Sequence, residues 1–386
     1  MIDHLHKAAK SGCEIDFQQL MYEFTFDSIC KIAFGKKVQT IGSKTMHPFG
    51  HSFDEIQSLC AKRSMTPFFV WKTLRFLNIG SERTFRNHLK VIDEFIYDIV
   101  KDRHQSLDEY EDSGDLLSLF LLDAKKRGEV LSDHHLRDLI LSVKKRRQVG
   151  KNKHSCLHSA NHLFLFFFNM CCSNFMIAGR DTTAAALTWM FYSLSSHPDI
   201  EAKCVDEIRS TLDPTTEPTA ERIRSLHYVE ATFMETVRVA PPVPVDLKLC
   251  IKDTTFPSGE FVPAGTYCIY TPFFTNNNPN FYANSTTLQS WADDCHVFNP
   301  SRWLVEDSET GETKVLSPPS HEFITFNVAQ RLCLGKAMAV LEGKTLASKI
   351  LESFHIQVRD GYKPLQRIAP VLAMLDGLPV TVTRRK

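Results

Sequence analysis

Apolar residues recur at helical spacing along most of this chain. Phe17, Leu20, Met21 and Phe24 repeat at steps of three and four, behind an Asp16–Gln19 pair spaced like a capping box, and the run ends at Gly35. Phe85, Leu89, Ile92, Phe95, Ile96 and Ile99 predict a second, longer helix. An acidic loop over residues 108–115 separates it from a helical run over 116–126, with Gly128 as the stop signal. An apolar helical segment covers residues 174–191, and His197-Pro198 opens a further helix over 199–212. Leu226, Val229, Phe233 and Val237 mark another, and residues 335–351 have good helix propensity. Strand signals are sparse: 260–262 and 267–270 around Pro263-Ala264-Gly265, and 378–383 at the end. Residues 241–248 and 369–375 read as irregular stretches with apolar side chains. No internal repeat is visible, and the pattern predicts a mainly α fold with a small β region.

Composition narrows the class. The chain has 386 residues, 43% of them hydrophobic, and no formal net charge. That is enough to bury a large core in one or two domains, with no basic excess to suggest nucleic acid. Eleven cysteines are scattered without paired spacing, which reads as reduced thiols in a cytosol-facing protein. No stretch reaches the roughly 18–20 apolar residues of a spanning helix, and no signal sequence follows Met1.

The chemistry concentrates in Phe326-Asn327-Val328-Ala329-Gln330-Arg331-Leu332-Cys333-Leu334-Gly335. A thiol has a reference pKa near ~8.5, but a following helix start and an adjacent guanidinium both favour the thiolate, a natural metal ligand. The alternative is one more buried free cysteine, and these ten residues leave both readings open. Glu235 and Arg238 lie three apart on a predicted helix; as an exposed pair they contribute only about 0.2–0.5 kcal/mol. Phe298-Asn299-Pro300-Ser301-Arg302-Trp303 adds another arginine on an irregular stretch. Ala178-Gly179-Arg180-Asp181-Thr182-Thr183 puts a glycine, costing about 1 kcal/mol in a helix interior, beside an acid–hydroxyl pair. On their own, Thr182 and Thr183 read equally as helix threonines bonded back to their own carbonyls.

Taken in order, A-G-x-D-T-T, E-x-x-R, F-x-P-x-R-W and F-x-x-x-x-R-x-C-x-G resemble the cytochrome P-450 family of heme-thiolate monooxygenases. The resemblance runs from about Ile15 to the C-terminus. It implies that Cys333 ligates the iron of heme b, and that Glu235, Arg238 and Arg302 tie the heme-binding loop to the core. It implies further that Asp181 and Thr182 form the catalytic acid–alcohol pair over the distal face, relaying protons. Phe326, Arg331, Gly335, Gly179 and Lys248 fall among the cofactor-binding positions. Gly179 would leave room above the iron, and Arg331 and Lys248 would pair with the propionates. The implied fold is cytochrome P-450-like, and residues 1–386 read as a single partial heme-thiolate domain. The implied reaction inserts one oxygen atom of O2 into a C–H bond of a hydrophobic substrate, with electrons from NADPH through a partner reductase. Gly-Arg-Asp-Thr-Thr and Cys-Leu-Gly-Lys are closest in style to the branch that hydroxylates terminal carbons of fatty acids. The implied location is the cytosolic face of the endoplasmic reticulum membrane, although this chain carries no anchor.

Three departures from the family set further expectations. The N-terminal part of the fold is expected to be missing, which would leave one side of the heme pocket open. Residues 143–173 read as a translated, retained intron. The segment opens on Val143-Lys144, whose codons suit a splice donor, and closes on a run rich in Phe, Leu and Cys, whose codons are pyrimidine-rich. Removing it joins Ser142 to Asn174 and makes the helical series Leu136, Ile140, Phe175, Ala178, Thr182 continuous. His154, Cys156, His158 and His162 inside that segment match no common zinc spacing. Last, Ala329 stands where the family usually has glycine, and a positive φ there would cost on the order of 1 kcal/mol. The alternative to an active monooxygenase is an inactive heme-binding remnant of a truncated or mis-spliced gene.

Overall fold

The computed structural model describes residues 1–43, 47–64, 66–105, 115–127, 177–213, 216–308, 311–367 and 370–385. Residues 143–173, with the expected intron and its histidine–cysteine cluster, lie outside the described residues. In chain order the main elements are α1 Ile2–Ser11, β1 Ile15–Asp16, α2 Phe17–Phe34, α3 Pro48–Ser64, α4 Phe68–Leu77, α5 Gly80–Gln105 and α6 Leu116–Lys126. A π-turn, Ile177–Asp181, leads into α7 Thr182–Ser196, then α8 Pro198–Thr211 and α9 His227–Val239. The strand region holds β2 Asp246–Leu249, β3 Thr254–Thr255, β4 Phe261–Val262, β5 Tyr267–Tyr270, β6 Leu304–Glu306 and β7 Thr313–Val315. After it come α10 Lys336–Ser353, β8 Phe354–Val358 and β9 Pro379–Arg384. The fold is mainly α with small, separate sheets.

Contacts cluster into two compact units. One is Tyr22–Asp181; the other joins Met1–Met21 to Thr182–Lys386. In the first, α3 packs along α5. Phe26 of α2 and Phe49 and Phe53 of α3 form an aromatic core, with Phe26 stacked on Phe49 at 5.4 Å and Phe49 on Phe53 at 5.6 Å. Arg63 makes a bidentate pair with Glu82 at 2.7 and 2.8 Å while its guanidinium lies over Trp71 and Phe85. Such a pair, dry on both faces, is stronger than an exposed one.

The second unit is built around α9, which packs against α7, α8 and α10. Gly343 of α10 marks the closest approach: a Cβ there would sit 2.5 Å from a ring carbon of Phe233. β9 is central in an antiparallel sheet of order β1-β9-β8, so residues near the two ends of the chain share hydrogen bonds. Asp16 accepts from the Gln19 amide at 3.2 Å, which is the cap read from the sequence, and also from the Leu378 amide at 3.0 Å. β2 pairs with β5 in register Asp246↔Tyr270 to Leu249↔Tyr267. The stretch 241–248 was expected to be irregular, yet residues 246–248 of it lie in β2; a strand of four residues is too short to show a period.

Candidate functional site

Glu235 and Arg238, spaced for one face of α9, are both fully buried. They are therefore not the weak exposed pair that their spacing alone suggests. Every donor of the Arg238 guanidinium is placed. Nε and one Nη2 hydrogen serve Glu235 at 2.7 and 2.9 Å. Nη1 donates to the carbonyls of Asn276 and Cys295, both at 2.7 Å, and Nη2 also reaches the Val297 carbonyl at 3.2 Å. Burial disfavours the charged guanidinium, but hydrogen bonding and attraction from Glu235 outweigh it and raise the Arg238 pKa.

Glu235 accepts from three further donors: the Asn299 amide at 2.8 Å, Arg302 Nε at 3.1 Å and Trp303 Nε1 at 2.9 Å. Arg302 completes its fork on the Asp294 carboxylate at 2.6 Å. The three residues read from the sequence thus meet in one cluster. Trp303, quoted in the motif but given no role, joins them through its indole N–H. From Trp303 an aromatic series leads outward, to Phe323 at 5.0 Å between centroids and on to Phe326 at 6.2 Å. Asn276 adds a polar link, donating to the Thr325 hydroxyl at 2.7 Å. Glu322 closes the neighbouring segment by accepting from the hydroxyls of Ser285 and Thr286, both at 2.6 Å, and these bonds pull its carboxyl down to about 2.

This scaffold ends at the cysteine loop. Cys333 donates its amide to the Phe326 carbonyl at 2.8 Å, closing a turn whose interior holds two positive-φ residues, Asn327 at 66° and Ala329 at 50°. The bend does demand the left-handed region at Ala329. The Cys333 thiol is exposed, as are its neighbours Leu332 at 48% and Leu334 at 100%. Lys336, at the start of α10, lies over the Phe326 ring at 5.3 Å. Gly335 is the N-cap of that helix, and its open side leaves the thiol 3.9 Å from where a Cβ would be. Arg331 is exposed and takes part in no ion pair among the described residues. Lys248 differs: its ammonium pairs with Asp246 at 2.7 Å, so it is not an unclaimed cation.

The acid–alcohol segment lies where the chain leaves the π-turn, a local expansion often found at functional positions. Gly179 has a packing reason as well as the one implied by the resemblance: a Cβ there would come 2.5 Å from Ile29 Cδ1. Arg180, quoted in the motif but given no role, is buried over the Tyr22 ring. It bonds Asp54 at 2.8 Å and Asp181 at 3.1 Å. Burial opposes its charge, but the two carboxylates prevail and its pKa is raised. Asp181 is buried and also accepts from the Gln57 amide at 2.7 Å. Thr182 opens α7 in the other unit, half-buried. A single sequence could not show that Asp54 and Gln57, one helical turn apart, address residues far along the chain.

Comparison with known proteins gives the family of the chain. The Cytochrome P-450 family model matches residues 1–143 and 167–379, so the chain belongs to the cytochrome P-450 family. Cytochrome P-450 86B1 of Arabidopsis thaliana is 29% identical over 99% of this chain and 63% of its own length. Cytochrome P-450 94B1 of the same plant is 30% identical over 100% of this chain and 67% of its own length. A noroxomaritidine synthase of Narcissus aff. pseudonarcissus MK-2014 is 28% identical over 100% of the chain and 68% of its own length. The chain thus spans about two thirds of the length of these relatives. Among solved structures, a cytochrome P-450DA heme domain superposes with a TM-score of 0.73 at 19% identity, covering 99% of this chain and 71% of that one. At that identity it shows the fold alone.

Proposed function

We propose that this protein is a heme-thiolate monooxygenase acting on a hydrophobic substrate, with terminal hydroxylation of a fatty acid as the specific reaction. The observation that carries the reading is an exposed thiol on a strained turn, tied through Phe326, Phe323 and Trp303 to a buried carboxylate–arginine cluster. The residues fit a large apolar metal-bearing group. The Cys333 thiol is uncovered between two exposed leucines, and Arg331 nearby offers an exposed cation to acidic substituents. Heme b, when bound, supplies an iron that activates dioxygen with electrons delivered from NADPH by a partner reductase.

The chain's own residues do the rest. Cys333 supplies the thiolate ligand, and its exposed flanking leucines present apolar surface to the group it would hold. Arg331, more readily than Lys248, meets a carboxylate of the cofactor. Asp181 holds or releases a proton at its carboxylate, steadied by Gln57 and Arg180, and the Thr182 hydroxyl passes it on. Resemblance to the 86B1 and 94B1 proteins supports the fatty-acid branch. A relative named for a different product lies at nearly the same identity, so the substrate rests on analogy. The same resemblance suggests the cytosolic face of the endoplasmic reticulum. No helix among the described residues is long and apolar enough to cross a membrane.

The test is the absorption spectrum of the ferrous, carbon-monoxide-bound protein. A long-wavelength Soret band typical of thiolate ligation is expected, and Cys333→Ala should abolish it. Retention of that band in Cys333→Ala would refute the ligand assignment. A protein that binds heme with a shifted band and turns over no fatty acid favours the inactive remnant. The family match stops over residues 144–166, within the segment read as a translated intron, which supports that second reading for the chain as translated.

A further inference from the structure

We propose that Asp246 is a positioning residue for the cysteine loop: its carboxylate holds Asn327 in a strained backbone conformation and so fixes the turn that presents Cys333. The proposal deepens the reading of Cys333 as the heme ligand and rests on it. Asn327 has φ 66° and ψ −176°. That region is essentially reserved for glycine, and other residues persist there only when their surroundings over-determine them. The Asn327 side chain provides that constraint. Its Oδ1 accepts from the Val328 amide at 3.0 Å, and its Nδ2 donates to Asp246 Oδ2 at 3.0 Å. The second bond reaches 81 residues back in the sequence, to the first residue of β2.

Asp246 is itself well held. The same Oδ2 accepts from Tyr270 OH at 2.6 Å and Lys248 Nζ at 2.7 Å, and Oδ1 accepts from the Leu247 amide at 2.6 Å. Burial favours the neutral acid, but these donors outweigh it and keep the carboxyl below its usual range. Register places Asp246 directly opposite Tyr270 in the β2–β5 pair, so the hairpin aims the carboxylate before the loop is built. The loop then docks on it. Cys333 lies six residues beyond Asn327, inside the turn closed by its own amide on Phe326.

The test is a double-mutant cycle read first without heme. Hydrogen exchange of peptides covering residues 324–335 reports the Cys333–Phe326 bond directly. Asp246→Ala should speed exchange there by about tenfold, equivalent to ~1.4 kcal/mol. Asn327→Gly should stay within about twofold of the parent, because glycine adopts this backbone without an anchor. In the Asn327→Gly background, Asp246→Ala should add less than about twofold. Asp246→Asn keeps a carbonyl oxygen for the Asn327 amide but turns its NH2 toward the Leu247 N–H and loses the charge for Lys248; its effect should fall between those of the parent and alanine. Equal effects of Asp246→Ala in both backgrounds, no effect on residues 324–335, or an Asp246→Asn effect as large as alanine's would each overturn the proposal. Hemin titration of the same variants reads the consequence, with affinity falling about tenfold in Asp246→Ala and recovering in the double variant. If the exchange pattern holds but hemin gives no thiolate-type spectrum with any variant, the positioning role stands and the heme reading fails.

Discussion

Ala329 carries a φ of 50°, two residues after Asn327 and four before the thiol. A Cβ in that region crowds the following carbonyl, at a cost of about 1–2 kcal/mol for an L-residue. Ala329→Gly is therefore expected to stabilise the chain by up to about 1 kcal/mol, the released strain being partly offset by greater freedom of the unfolded chain. A higher urea midpoint with unchanged slope would show it; a lower midpoint would mean that the methyl packs better than its backbone suggests. The sequence carried a warning here, because the resemblance implied glycine at this position. Nothing comparable marked Asn327, since asparagine is ordinary in turns and its strain depends on a carboxylate 81 residues away.

At the scale of elements, long periodic helices were read well and short strands were not. The runs beginning at Phe17, at Phe85 and after His197 became α2, α5 and α8 within a few residues, because one face of each meets a core at every turn. Strands of two to four residues, such as β1 and β2, hold too few positions for a period and exist only because a distant partner pairs with them. Close packing between helices is likewise invisible until both surfaces are known. Gly179 faces Ile29 so tightly that Gly179→Ala should destabilise by about 1–3 kcal/mol through overpacking. Ile29→Ala in the same chain should recover part of that loss, making the pair of changes cost less than their sum in thermal unfolding. Strict additivity would mean that the glycine is needed for another reason.

At the scale of the whole molecule, the ordered motifs made the family legible. Two of the four signatures, E-x-x-R and F-x-P-x-R-W, serve one buried charge cluster, and the cysteine signature spans the turn closed by the Cys333 amide. The cluster's true neighbours, Trp303 and the carbonyls gripped by Arg238, were not legible, because main-chain acceptors leave no mark on residue type. The family match breaks where the intron reading falls, and we expect mature message to join the codon of Ser142 directly to that of Asn174. Sequencing transcripts across that junction decides the point, and the segment's presence in message from an active protein would sink the idea. Arg238 has one more consequence. It holds the carbonyls of Asn276, Cys295 and Val297, so its grip ignores which side chains stand there. Substitutions at residues 276, 295 and 297 that keep the backbone path therefore leave the acceptors of the guanidinium in place.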